Sequence, residues 1–485
     1  MRLKSLLIFG AAAALNSTSA LARNGEPEDY VFEHVNVVPM SANMVLRDRY
    51  VAVRNRVIVA IGRQGKQGKY PGAQRIDGRG MYLMPGLADM HTHTRMPPQD
   101  FFDLNLAAGV TTVFNMGLGD GGGQFDHVAL RRDVASGAVD GPRYLISGAQ
   151  LDGDNVKSLT DVDRALNEAS DRKYDAVKVH GDLPPAIYDA IITGARKRGL
   201  RIRGHGQHMM PLAETLRMDS VEHVEEILYL STDRKFGEKA KFGEEKNGNI
   251  DNFLTSYHDN LERLQDNKYR ASLVREIARS KVFWDPTIVI YEAIPKYLDD
   301  DEFARLARDE RLSYLPRSVR GEVLDKSKNE YRAGLAPVFS KFLSSIGDKS
   351  TLKEHFDKNV GLLLKLTKEM HGAGVPLLTG SDAFGAPVPG FALHQEMELM
   401  VRAGISPYET LRAATINSAR FLGESRQAGT IEVGKRADFI LLGHNPLTDI
   451  RNAADVQGVF VNGQWHSAAR LKEMLAQVAR HSAAD

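Results

Sequence analysis

The pattern of apolar and polar positions changes period twice along this chain. From Tyr30 to about Gly86 it is short and β-like: residues 31–38 and 50–62 are rich in β-branched side chains, and Asp77-Gly78-Arg79-Gly80 supplies a turn. A second β-rich block covers 429–442 near the other end and is followed by 456–465. Strands at opposite ends of a chain can pair with one another. This predicts a small split β-sandwich domain from residues 23–85 and 429–470, interrupted by the centre of the chain, with 471–485 left as a C-terminal tail.

Between these blocks, strand-like runs alternate with helical ones, the mark of parallel βα units. The strand-like runs are 84–93, 109–115, 143–147, 174–180, 200–205, 220–223, 282–286 and 375–382. Eight of them is the count for a (β/α)8 TIM-like barrel, here over residues 86–428. The helix after the last run opens on Ser406-Pro407-Tyr408-Glu409, a capping box with proline at its first position. Two insertions break the spacing, near 231–269 and 291–358, the second long, charged and helical in character. Both leave the C-terminal face of the barrel, where sites are built, and are read as walls or a lid. The loop Gly117-Leu118-Gly119-Asp120-Gly121-Gly122-Gly123 lacks the Gly-Lys-Ser/Thr ending of a phosphate loop and reads as a pliable connection.

With 485 residues, 42% of them hydrophobic, the chain can bury a full core and still carry an accessory domain. Sixty-three basic residues stand against sixty-two acidic ones with no long single-sign block, so nothing calls for nucleic acid or an anionic membrane. Arg2 and Lys4, an apolar run from Leu6 to Leu15, and Ala20-Leu21-Ala22 before Arg23 read as a cleaved signal peptide over residues 1–22. The run is about half of the roughly 20 residues a membrane span needs. The expectation is an exported, periplasmic protein that is off the membrane after cleavage. The chain has no cysteine. Any metal site must therefore use His, carboxylate or a modified side chain, a set suited to a hydrolytic centre.

The first barrel strand closes with His91-Thr92-His93. Two positions apart on a strand, both imidazoles leave the same face, as a chelate requires. In a chain with 15 histidines a lone H-x-H carries little weight. More donors stand at other strand ends: Lys178 on the fourth, His205 on the fifth, His223 on the sixth and Asp382 on the eighth. Parallel strands deliver their C-terminal ends to one rim, so these residues converge there. Each has a plain reading by itself, a satisfied core histidine for His223 or a helix N-cap for Asp382. Their joint placement on five of eight strand ends marks a metal centre. His180 shares a strand face with Lys178 and either reaches substrate or closes a supporting hydrogen bond. His208 follows a turn and could orient substrate. His127, His258, His355 and His444 have no convergent partner and are expected at the surface.

The order H-x-H, Lys, His, His, Asp on a barrel flanked by a split β domain resembles the amidohydrolase superfamily. The wording of Pro85-Gly86-Leu87-Ala88-Asp89-Met90-His91-Thr92-His93, Ser220-Val221-Glu222-His223, Leu378-Thr379-Gly380-Ser381-Asp382 and Gly429-Thr430-Ile431-Glu432-Val433-Gly434-Lys435-Arg436-Ala437-Asp438 carries the likeness. Within that group the chain is most similar to the imidazolonepropionase-related, prolidase-like branch. The resemblance implies that Lys178 is carboxylated and bridges two divalent metals, usually Zn2+. His91, His93 and Asp382 would hold one and His205 with His223 the other. A free ammonium cannot ligate a cation, whereas a lysine carbamate is an anionic bridge with two oxygens. The resemblance further implies a metal-bridging hydroxide as nucleophile, Asp382 as general base turned acid, and Tyr229 in contact with the substrate carbonyl.

This implies a binuclear-zinc hydrolase of an amide C–N bond in a dipeptide or N-acyl amino acid, a group whose members include enzymes acting on aryl-acyl amino acids and mycotoxin amides. The same centre could open lactones or esters. A deaminase usually has a mononuclear centre with no need of a bridging Lys178. A silent metal- or ligand-binding exported protein would show a lost ligand or base, and none of the set is missing. The partner implied is a small-molecule amide or dipeptide. Barrels of this type often form homo-oligomers, but no stripe along the chain marks an interface.

Overall fold

The computed structural model describes residues 29–484 apart from 67, 118–124, 209, 231–249 and 384. The segment read as a signal peptide, most of the glycine-rich loop and half of the first insertion lie outside the described residues. Among the described residues no helix is long and apolar enough to cross a membrane.

Both ends of the chain enter one eight-stranded sheet. Its order is Gln464–Ser467, Val456–Val461, Phe439–Leu442, Tyr82–Pro85, Asp29–Val37, Leu46–Arg54 and Val57–Arg63, with Gln74–Asp77 paired to Asp29–Val37 off that path. Two tight turns set the hairpin registers, Asn55-Arg56 and Asn462-Gly463, all four residues having left-handed φ, as type I′ turns require. Tyr82–Pro85 joins the two ends. It runs parallel to Asp29–Val37 and antiparallel to Phe439–Leu442, with Met84 opposite Ile440. Because this strand is bonded along both edges, the pairing is continuous from one end of the chain to the other, and Tyr30 and Phe460, on strands that are not neighbours in that order, pack 4.9 Å apart across its apolar face. Phe32 packs edge-on against Phe439 at 4.9 Å and Trp465 at 5.1 Å between ring centres. The β-rich block near 429–442 contributes one regular strand, Phe439–Leu442, and an isolated antiparallel bridge from Arg436 to Val57; Gly429 and Gly434 turn the preceding residues with φ of 87° and 88°.

The middle of the chain is an α/β arrangement of parallel units. The strands pair into two arcs, one of Leu87–Thr92, Val110–Asn115 and Arg143–Ile146, the other of Gln150–Leu151, Ala176–Val179, Arg201–Gly204, Ser220–Glu222 and Phe283–Asp285. The eighth expected strand is not a continuous one. It makes isolated parallel bridges, Leu377 to Trp284 and Ala383 to Thr92, and accepts the Met90 amide at the Thr379 carbonyl. At the opposite edges, the Asp175 amide donates to the Ile146 carbonyl. Leu87–Thr92 and Val110–Asn115 are buried at every position, so they read as apolar runs without alternation.

The stretch 291–358 is helical, carrying most of Ile288–Leu298 and then Asp300–Leu306, Arg317–Leu324, a π-helical turn Glu330–Leu335 and Ala336–Ser345, before Leu352–Gly372. Ser406 accepts from the Glu409 amide at 3.2 Å and caps Pro407–Arg412. The expected tail is a helix, Ala468–Ala484. It buries Leu471, Met474 and Val478, because those side chains repeat at helical spacing and meet Pro98–Ala107.

Candidate metal centre

His91, His93, Lys178, His180, His205, His223, Tyr229 and Asp382 all line one cavity of about 550 Å³ at the C-terminal ends of the parallel strands. They arrive from separate segments, and each ring is held from behind. His91 Nδ1 lies 2.9 Å from Glu222 Oε2, and His93 Nδ1 lies 2.6 Å from the Gly117 carbonyl oxygen. His205 Nδ1 is 2.8 Å from Glu226 Oε1, and His223 Nδ1 is 2.6 Å from Thr287 Oγ1. A ring that gives its Nδ1 proton to an oxygen keeps the Nε2 lone pair for a cation.

The remaining atoms face a common space. Lys178 Nζ is 3.3 Å from His91 Nε2, and Asp382 Oδ1 is 3.5 Å from His91 Nε2 and 3.1 Å from His93 Nε2. Ring centres run 4.8 Å from His91 to His223, 4.6 Å from His223 to His205 and 4.6 Å from His205 to His180. Ligand atoms of His91, His223 and Asp382 lie within 4.8 Å of one another, close enough to share an ion.

Electrostatics favour the ligating forms. Burial holds His91 and His223 well below the usual imidazole range, so both rings are neutral. Burial raises the carboxyl of Asp382, but His91 and His93 outweigh it and hold it below the usual range. Burial brings the Lys178 ammonium down to about 8, leaving a sizeable neutral fraction near neutral pH. Burial, with His205 and Lys178 nearby, lowers His180 to about 3. Three non-glycine residues here have left-handed φ: His223 at 69°, Thr287 at 45° and Asp382 at 47°. Such conformations cost about 1–3 kcal/mol each and persist where surroundings over-determine them. Gly380 is obligatory, since a Cβ there would sit 2.5 Å from the His91 Cβ and 2.6 Å from both Asp285 oxygens.

A buried network stands behind the ligands. Arg203, fully buried, donates to both Glu222 oxygens at 2.9 and 3.0 Å and to the Met90 carbonyl at 2.7 Å. It neutralises Glu222, which in turn accepts from His91. A second donor group, His91 with Glu222 and Asp285, has compatible geometry, but Arg203 lies against both carboxylates and makes it an ion-pair network. His208 does not line the cavity. It bonds Glu226 at 2.5 Å, and although burial lowers its pKa, Glu226 and Asp182 outweigh that and raise it to about 10. His208 therefore braces Glu226 and, through it, His205.

Tyr229 lines the cavity, and its hydroxyl donates to Glu225 Oε1 at 2.5 Å. One reading of the sequence changes. His355, expected at the surface, is buried, with Nε2 3.3 Å from Tyr257 Oη, because Leu352–Gly372 turns that face inward. Glu222, Glu225 and Glu226 were not anticipated. Their signal was the acidic text around His223, Val221-Glu222-His223-Val224-Glu225-Glu226, in a segment otherwise buried.

The family model for the amidohydrolase family matches residues 327–466. The chain is similar to an adenine deaminase of Geobacillus kaustophilus, 32% identical over 104 residues, 21% of this chain and 17% of that protein. It is also similar to the imidazolonepropionase of that organism, 36% identical over 70 residues, 14% of this chain and 16% of that protein. The matched stretch thus spans about a sixth of these relatives. Its fold is similar to that of a Xaa-Pro dipeptidase solved with methionine in the active site, with a TM-score of 0.61, 17% identity, and coverage of 90% of this chain and 100% of that one.

Proposed function

We propose that this chain is a metal-dependent hydrolase that cleaves an amide C–N bond of a small molecule, on a (β/α)8 scaffold closed through 375–383. The observation that carries the reading is that four histidines on three strands each have Nδ1 engaged and sit with Lys178 and Asp382 around one cavity. The fold's likeness to a dipeptidase and the family match over 327–466 agree with it.

The donor set fits two divalent cations, and its richness in imidazole suits zinc. His91, His93 and Asp382 would hold one, His205 and His223 the other, with Lys178 between them as a carbamate. Divalent cations held there would lower the pKa of a coordinated water to about 7 and would polarise the substrate carbonyl. The neutral fraction of Lys178 is the form that adds carbon dioxide, releasing a proton as the carbamate forms. Asp382 takes the proton from the attacking water at its carboxylate and passes it to the departing nitrogen. Glu222, Glu226, Thr287 and the Gly117 carbonyl keep the four rings aligned throughout. Residues 1–22 act as an export signal, which places the mature chain in the periplasm, and residues 23–85 with 429–470 form the accessory domain.

The deaminase likeness over 104 residues favours a second reading, deamination at a single metal. Elemental analysis of the purified protein and of Lys178→Ala separates the two. About two metal ions per chain, falling in the variant, with dipeptide hydrolysis abolished by chelation and restored by zinc, supports the first reading. One ion, unchanged in the variant, overturns it in favour of the second.

A further inference from the structure

Glu225 has no part in the chemistry above, yet it lines the cavity two residues beyond His223. Its carboxylate accepts from Tyr229 Oη at Oε1 and from Tyr291 Oη at Oε2, each at 2.5 Å. The other carboxylates near the cavity are engaged by the site's own framework: Glu222 by Arg203, Glu226 by His208, and Asp382 by the imidazoles of His91 and His93. Among the described residues none forms an ion pair with Glu225, and the neighbouring imidazoles His205 and His208 turn to Glu226 instead.

The two phenols have spent their single protons on Glu225 and offer only oxygen lone pairs. The rings around them present π faces: Tyr257 stands 5.8 Å from Tyr229, Phe339 stands 5.7 Å from Tyr257, and Tyr331 and Phe356 line the same cavity. A half-buried carboxylate, two acceptor oxygens and aromatic rings are together what an ammonium leaving bulk water seeks.

We propose that Glu225, Tyr229 and Tyr291 form a subsite for a protonated amine of the substrate, so that the preferred amides carry a free ammonium and an apolar side chain rather than an N-acylated nitrogen. The ammonium donates to Glu225 and to the phenolic oxygens, and the apolar group packs on Tyr257, Phe339 and Phe356. A substrate carboxylate at this place would meet like charge. Only the turnover arm of the test rests on the amide-hydrolase reading.

The first arm is calorimetric titration of the full-length protein with phenethylamine and with 2-phenylethanol, which share a skeleton and cannot be hydrolysed. The amine should bind about tenfold more tightly or better, and Glu225→Gln should bring the two within about threefold. Equal affinities in the unmodified protein overturn the proposal, with no variant needed. The second arm compares kcat/KM for phenylalanine p-nitroanilide and its N-acetyl twin. A preference for the free amine, expressed in KM and lost in Glu225→Gln, supports the proposal; a preference for the N-acetyl twin overturns it. If neither is cleaved, the hydrolase reading is what fails, and the first arm still decides the subsite.

Discussion

Thr287 directly precedes the helix Ile288–Leu298, where a threonine would ordinarily cap the first amides, yet its hydroxyl is spent on His223. The side chain serves a candidate ligand and leaves the helix end to others. Thr287→Val keeps the shape and removes the hydrogen bond. Zinc affinity, measured against a competing chelator, should fall about 10- to 100-fold while the melting temperature barely moves. A large drop in melting temperature with intact affinity would make Thr287 a stability residue instead. The donors themselves were legible, because a strand's period of two fixes which side chains share a face. Their supports were not: Glu222, Glu226 and Thr287 each carry an ordinary local reading, and their partners come from packing.

At the scale of elements, the vacated end of Ile288–Leu298 is met by Glu396, on the helix Phe391–Arg402, which accepts from the Val289 amide at 2.8 Å. Burial pushes this carboxyl up to about 8, against 4.5 for an ordinary glutamate. Between those values the folded chain keeps a proton that the unfolded chain has released. Stability from this group therefore falls as pH rises from about 4.5 to about 8, by about 1 kcal/mol per pH unit. Glu396→Gln is neutral throughout and should lack that slope, melting above the unmodified protein at pH 8.5. Melting curves from pH 5 to 9 check this, and identical slopes for the two proteins would refute it. Element boundaries followed the sequence where caps are written locally, as at Ser406-Pro407-Tyr408-Glu409. They departed from it at 429–438, and at the last barrel run, which needs neighbours on both sides and makes only bridges.

For the whole molecule, the C-terminal helix Ala468–Ala484 ties remote parts together. It packs on Pro98–Ala107, pairs His481 with Asp100 at 2.8 Å, and bonds Ser482 to the Tyr314 carbonyl in the second insertion at 2.9 Å. Met474 is fully buried there. Met474→Ala should cost about 2–5 kcal/mol of unfolding free energy in a denaturant titration; a change near zero would mean that the helix only decorates the surface.

By itself the sequence determined which segments alternate as parallel units and which donors stand at their ends, because side-chain period and turn chemistry act over a few residues. It also held enough apolar text at both ends for those ends to meet. Only the tertiary structure decided what each imidazole leans on, that Tyr229 gives its proton to Glu225, and that no ion pair forms with Glu225 among the described residues. These contacts join residues as far apart as His91 and Glu222, 131 positions along the chain. At such separations no local pattern says which oxygen will arrive, because that is set by the packing of whole elements into one core.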